Sequence, residues 1–150
     1  MAGTVRFERS HDILIDAPAE AVFDYVANPQ SWPEWLAASH AIESENRWLA
    51  AGEKFHEHWQ TRKGDVSLDW VVETSERPHR WVVRTTTDFI GPIVATYEMV
   101  PVGTQTRYMR RITNPGRSKE PTTEMIRRMD EEAKVALANI KRNVEARWRR

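Results

Sequence analysis

Met125, Met129, Ala133, Ala136, Ile140, Val144 and Trp148 recur at three- and four-residue steps through residues 121–148. That spacing lays one apolar stripe along a single helix. At 1.5 Å per residue the helix is about 40 Å long, and a stripe of that length needs a broad apolar surface beneath it.

The preceding residues supply that surface. From about residue 40 to 113 the apolar period becomes two, interrupted by Ala51-Gly52, Lys63-Gly64-Asp65, Arg77-Pro78, Gly91-Pro92 and Val102-Gly103-Thr104. These turn signals predict strands near 40–47, 53–62, 65–75, 80–88, 93–101 and 105–113, joined as an antiparallel meander. Asn114-Pro115-Gly116 marks the return to helix. Upstream, residues 10–16 read as a first strand. A helix over 18–27 follows, with Val22, Phe23 and Val26 as its buried stripe, and Asn28-Pro29 stops it. A second helical piece near 30–36 carries Trp32 and Trp35, with Pro33 in its first turn.

A sheet with one apolar face must bury that face against another layer. The fold class expected is α+β, a helix-grip fold. A seven-stranded curved antiparallel sheet wraps around the long C-terminal helix, with two short helices after the first strand, as one domain over residues 1–150. This layout leaves room for an internal cavity.

Charge and composition narrow the partners. The 150 residues contain 22 basic and 22 acidic side chains, so the formal net charge is zero and nucleic acid is not expected. There is no cysteine, which rules out disulfides and thiolate metal sites. No run approaches 18 apolar residues, and the N-terminus has no apolar signal-peptide core. Membrane insertion is therefore not expected, and the cytoplasm is the expected location. The composition allows a homodimer.

Alternation assigns the faces. Phe55, Glu57 and Trp59 share one side of their strand, and Val66, Leu68, Trp70 and Val72 share the inner side of the next. Trp81, Val83, Thr85 and Thr87 point inward, as do Ile93, Ala95, Tyr97 and Met99. In the last strand, Tyr108 and Ile112 inward bring Arg110 with them; the opposite phase would bring Arg107 and Arg111. The first buries more apolar surface and is preferred. Aromatic groups mixed with Glu57, Thr85 and Arg110 suit a small-molecule site. The same aromatics also serve as plain core. A Glu57–Arg110 ion pair would lower the cost of burying either charge.

His56 and His58 lie two apart and face outward, with no third ligand evident from spacing, so no metal is expected. No histidine falls on the assigned inner faces. The glycines form no phosphate-binding loop, so no cofactor is expected. The C-terminal KRNVEARWRR complements the negative end of its helix, or else docks an acidic partner or a membrane surface.

The stretch ILIDAPAEAVFDYVANPQSWPEW (13–35), followed by GEKF (52–55), ERPHRWVVR (76–84) and ATYEMVPVGTQTRY (95–108), resembles the START-like (SRPBCC) superfamily. It is most similar to the polyketide cyclase/dehydratase branch. The likeness covers nearly the whole chain. It implies the helix-grip fold, with Trp35 covering the cavity entrance or the end of the long helix and Trp32 pinning the turn between the short helices. It also implies a small hydrophobic or amphipathic ligand, since members bind lipids, sterols, polyketides and hormones and some are cyclases or dehydratases. No catalytic triad travels with the fold, so no catalytic residue is transferred. The expected ligand-facing set is Trp35, Glu57, Trp59, Trp70, Thr85, Tyr97, Tyr108 and Arg110. Three functions stay open: binding, polyketide cyclase/dehydratase-like catalysis with Glu57 as base and Tyr97 or Arg110 as donor, and docking of a protein partner.

Overall fold

The computed structural model describes residues 4–37, 39–61, 64–88 and 90–149, with the backbone alone at His40, Gln60 and Thr61. Arg62 and Lys63, at the predicted second turn, and Arg150 of the basic tail lie outside the described residues. The elements are β1 Val5–Ile15, α1 Ala19–Val26, a 3₁₀ turn Pro29–Ser31, α2 Trp32–Trp35, β2 Ser39–Glu43, β3 Lys54–Thr61, β4 Gly64–Glu76, β5 Arg80–Thr87, β6 Gly91–Val102, β7 Gln105–Arg117 and α3 Thr123–Trp148.

All seven strands form one antiparallel sheet in the order β1-β7-β6-β5-β4-β3-β2. Strands β2 to β7 are a meander, each pairing antiparallel with the next in the chain; residues 44–53 make the longer connection between β2 and β3. Strand β1 instead joins the far side beside β7. The chain must then cross from one edge to the other, and α1, the 3₁₀ turn and α2 make that crossing over the inner face.

Local chemistry sets the helix ends. Pro18 precedes α1 in extended conformation, and Val22, Phe23 and Val26 are fully buried. After α1, the Asn28 Oδ1 accepts from the Gln30 N–H at 3.1 Å. The Thr122 hydroxyl caps α3 by accepting from the Met125 N–H at 3.1 Å.

The α3 stripe is buried through Ala133, Ala136, Leu137, Ile140 and Val144, but Met125 and Trp148 are exposed. Its two ends therefore overhang the layer beneath. Among the strands α3 packs chiefly on β1, while α1 lies over β6 and β7 and α2 sits beside β2. The inner face is covered by three helices jointly, where the length of α3 alone predicts that it covers the sheet by itself.

Two further expectations are corrected. β1 begins at Val5 and β7 runs through Asn114-Pro115-Gly116 to Arg117. Beyond Thr113, β7 has left β6 and pairs only with β1, with a register shift between Val5 and Phe7. Pro115 therefore breaks no ladder on the β6 side, and edge and bulge positions tolerate proline. Gly91, at φ +92°, lets this segment pass: a Cβ there would meet the Gly116 carbonyl oxygen at 2.9 Å.

Candidate functional site in the interior of the grip

Trp32 stands at the centre of the inner face. Its ring packs edge-on against Phe55, Trp70, Trp81 and Tyr97, with centroids 5.2–6.4 Å apart, and tilted against Trp35 at 6.1 Å. Its indole N–H donates to the Val26 carbonyl at 3.2 Å, fixing α2 to the end of α1. The Ser31 hydroxyl donates to the Tyr25 carbonyl at 2.7 Å and accepts from the Trp35 indole at 3.1 Å. Proline and two indoles thus make a short, rigid plug, and one indole occupies space that the layout alone assigns to a cavity.

A polar cluster lies beside this wall. Glu57 is 0 % exposed, and its Oε1 accepts from the Trp70 indole at 2.9 Å. Oε2 has no hydrogen bond of normal geometry, yet Ser39 and Trp59 approach closely enough to stabilise the charged form. Burial outweighs these groups and the more distant positive charge of Arg110, and it pushes the Glu57 pKa up. Arg110 holds its guanidinium 5.4 Å from the centre of the Trp35 ring. Tyr97 and Tyr108 are fully buried with ring centroids 5.8 Å apart. Burial pushes the Tyr97 hydroxyl up to about 12, against the pull of Arg110, and raises Tyr108 well above the ordinary value. Ser39 Oγ, Glu57 Oε2, Tyr108 OH and Arg110 Nε are buried without a hydrogen bond of normal geometry among the described residues.

The family profile "Polyketide cyclase / dehydrase and lipid transport" matches residues 4–145. The chain belongs to this family. It is 28% identical over 116 residues to penitrem biosynthesis cluster 1 protein I of Penicillium ochrochloron, covering 72% of this chain and 76% of that one. Its fold matches the Zhui aromatase/cyclase from Streptomyces sp. R1128 with a TM-score of 0.73 at 13% identity, covering 95% and 96% of the two chains. It also matches a START superfamily protein from Mycobacterium smegmatis with a TM-score of 0.68 at 14% identity, covering 95% and 97%. Among the described residues of this family member, no helix is long and apolar enough to cross a membrane.

The inner faces agree with the alternation. Glu57, Trp70, Thr85, Tyr97 and Tyr108 are buried, Trp59 and Arg110 half-buried, and Tyr108, Arg110 and Ile112 share the inner side of β7. Thr85 lines the wall but stands apart from the polar cluster in its bonding, since its hydroxyl donates to the Asp69 carbonyl at 2.6 Å. Glu57 and Arg110 do not close to an ion pair; they interact only through space. Trp35 is 2 % exposed, so it is wall rather than rim.

Sequence reasoning missed three groups. Ser39 lies at the start of β2, where a register shift against β3 turns it toward Glu57. His11 stands on β1, whose faces the alternation did not assign: it is in phase with Ile13 and Ile15 and meets Asp130 of α3 at 2.8 Å, beside the Arg9–Asp130 pair at 2.6 Å. Its partner Asp130 lies on α3, far away in the chain, so the contact is set by packing rather than by local pattern. Glu43 supplies, beside His56 and His58, the third potential ligand that chain spacing hid.

At the outer end, the Tyr25 hydroxyl donates to Glu34 at 2.9 Å and accepts from Asn143 at 2.9 Å, while Arg147 pairs with Glu34 at 2.8 Å. Arg149 meets Asp16 at 3.4 Å. The basic tail is thus tied to the chain's own acids. Two clefts of about 160 and 260 Å³ lie along this latch, lined by Tyr25, Arg147 and Trp148 and by Asp24, Gln30 and Glu34.

Proposed function

We propose that the chain binds a small hydrophobic or amphipathic molecule inside the grip. Its apolar body lies against Trp35, Trp59, Trp70, Tyr97 and the methyl group of Thr85, and its polar end meets Glu57, Tyr108 and Arg110. One observation carries this reading: four buried polar atoms of Ser39, Glu57, Tyr108 and Arg110 make no hydrogen bond of normal geometry beside an aromatic wall. Buried polar groups are nearly always hydrogen-bonded, so such a cluster needs a matching group or ordered water. The family's lipid-transport and cyclase description supports the same reading. The test is a thermal-shift and tryptophan-fluorescence titration with fatty acids, sterols and aromatic polyketides. Saturable binding that Arg110→Met weakens tenfold or more supports the proposal. Indifference to every amphipathic compound rejects it.

A second reading, catalysis of a polyketide cyclisation or dehydration, is favoured by the raised pKa of Glu57. A carboxyl group whose pKa is raised is a stronger base once ionised, and an arginine or tyrosine of the same wall donates to a developing enolate oxygen. Glu57→Gln separates the readings. It leaves ligand affinity within a few-fold in both, but abolishes turnover, followed by mass spectrometry, only in the second.

A further inference from the structure

The outer face of β3 carries an unassigned cluster of ligating groups. His56 and His58 alternate with Glu57, so both imidazoles project from the side of the sheet opposite the interior site. Glu43 reaches them from β2, where it is paired in register with His56. Ser67 and Asp69 of β4 are in register with His58 and His56.

The nitrogens of each ring are divided in the same way. His56 Nδ1 contacts the Asp69 carboxylate, and His58 Nδ1 lies 3.2 Å from Ser67 Oγ. Both Nε2 atoms face one oxygen, Glu43 Oε2, at 3.1 Å from His58 and 3.9 Å from His56. The three ligand atoms all lie within 4.8 Å of one another. Bonds of 2.0–2.1 Å at tetrahedral angles put the donors of a zinc ion about 3.3 Å apart. The observed separations bracket that distance. Outer partners on the Nδ1 atoms set the tautomer that leaves Nε2 free to bind, as in metal-bound histidines generally.

We propose that Glu43, His56 and His58 bind a late first-row divalent cation, Zn²⁺ foremost, through Glu43 Oε2 and the two Nε2 atoms. Asp69 and Ser67 orient the rings. Imidazole with one carboxylate and no sulfur suits zinc, copper or nickel, whereas magnesium prefers oxygen donors and six-fold geometry. The ion staples the short edge strand β2 to β3. It does not touch Glu57, so the site stands or falls independently of ligand binding inside.

The test is isothermal titration of the full chain with ZnCl₂, paired with thermal unfolding. The expected result is one zinc per chain and a Tm rise of about 5–10 °C at a hundredfold excess over Kd. His56→Ala and His58→Ala should each weaken binding by at least the ~10–100-fold that loss of an outer partner costs, and Asp69→Asn by about tenfold. All these side chains are at least partly exposed, so the metal-free variants should keep the wild-type circular dichroism spectrum; Glu43→Gln provides a further variant should one fail to fold. No binding at millimolar zinc overturns the proposal. So does zinc affinity unchanged in the His56→Ala/His58→Ala double variant, or magnesium binding as tightly as zinc.

Discussion

Glu53 and Glu57 lie four residues apart at the mouth and in the middle of one strand, yet their chemistry is opposite. Glu53 sits in the turn before β3, where the Arg47 guanidinium grips it and the Ala50 N–H donates to its Oε1 at 2.7 Å. Those bonds pull its pKa down to about 2. Glu57 faces the aromatic interior with one good hydrogen bond and a distant cation, and burial pushes its pKa up. The two carboxyl groups are chemically the same. Water and a well-placed guanidinium stabilise the ionised form of one, and their loss disfavours it in the other.

The contrast requires a dry interior, and Trp32→Ala tests that with the largest effect expected. Removing the central indole should cost about 3–5 kcal/mol in urea unfolding. A loss under about 1 kcal/mol would mean that the inner face is already wet, and the distinction between the two glutamates would lose its basis.

Glu57→Gln comes next and is read as a pH profile. Glu57's folded-state pKa lies above its unfolded value, so the folded chain holds the proton longer. Its contribution is most favourable below the unfolded pKa and is lost as pH rises through the folded one. The variant should lose that decline and be more stable than wild type at neutral pH. Identical slopes as pH rises above the ordinary carboxylate pKa would show that the carboxyl is not desolvated.

Tyr25→Phe removes the hydroxyl that joins α1, α2 and α3 through Glu34 and Asn143. The expected cost is about 1 kcal/mol with the interior untouched. A change in amphipathic-ligand affinity alongside it would connect the latch to the site.

Arg47→Met should have the smallest effect and the opposite sign in pH from Glu57. The Glu53 contribution is present above the ordinary carboxylate pKa and is lost as pH falls toward about 2. Because the pair is solvent-exposed, its effect on stability is small, and the variant should flatten only the acid limb. An unchanged acid limb would assign the lowered pKa to the Ala50 N–H alone.

Much of this was legible in the chain itself. Period-two alternation is a local property, so the inner faces of β3 to β7 follow from it, including the choice of Tyr108 and Arg110 over Arg107 and Arg111. The ends of elements were harder. Pro115-Gly116 has the composition of a stop, and only the pairing of β7 with β1 shows that the strand continues. Ser39 at Glu57, Glu43 at His58 and His11 at Asp130 are contacts between distant segments, set by register and bulges that no single stretch encodes.

Periodicity, turn chemistry and the long C-terminal stripe were enough to determine the order of elements and the sidedness of each strand, because both depend on steric and solvation preferances acting over a few residues. The tertiary structure alone decided which side chains meet: Trp32 in the middle of the grip, Glu57 without an ion pair, and two histidines sharing one carboxylate. Those outcomes depend on how seven strands and three helices divide the same limited volume, and that is settled only when every element is packed at once.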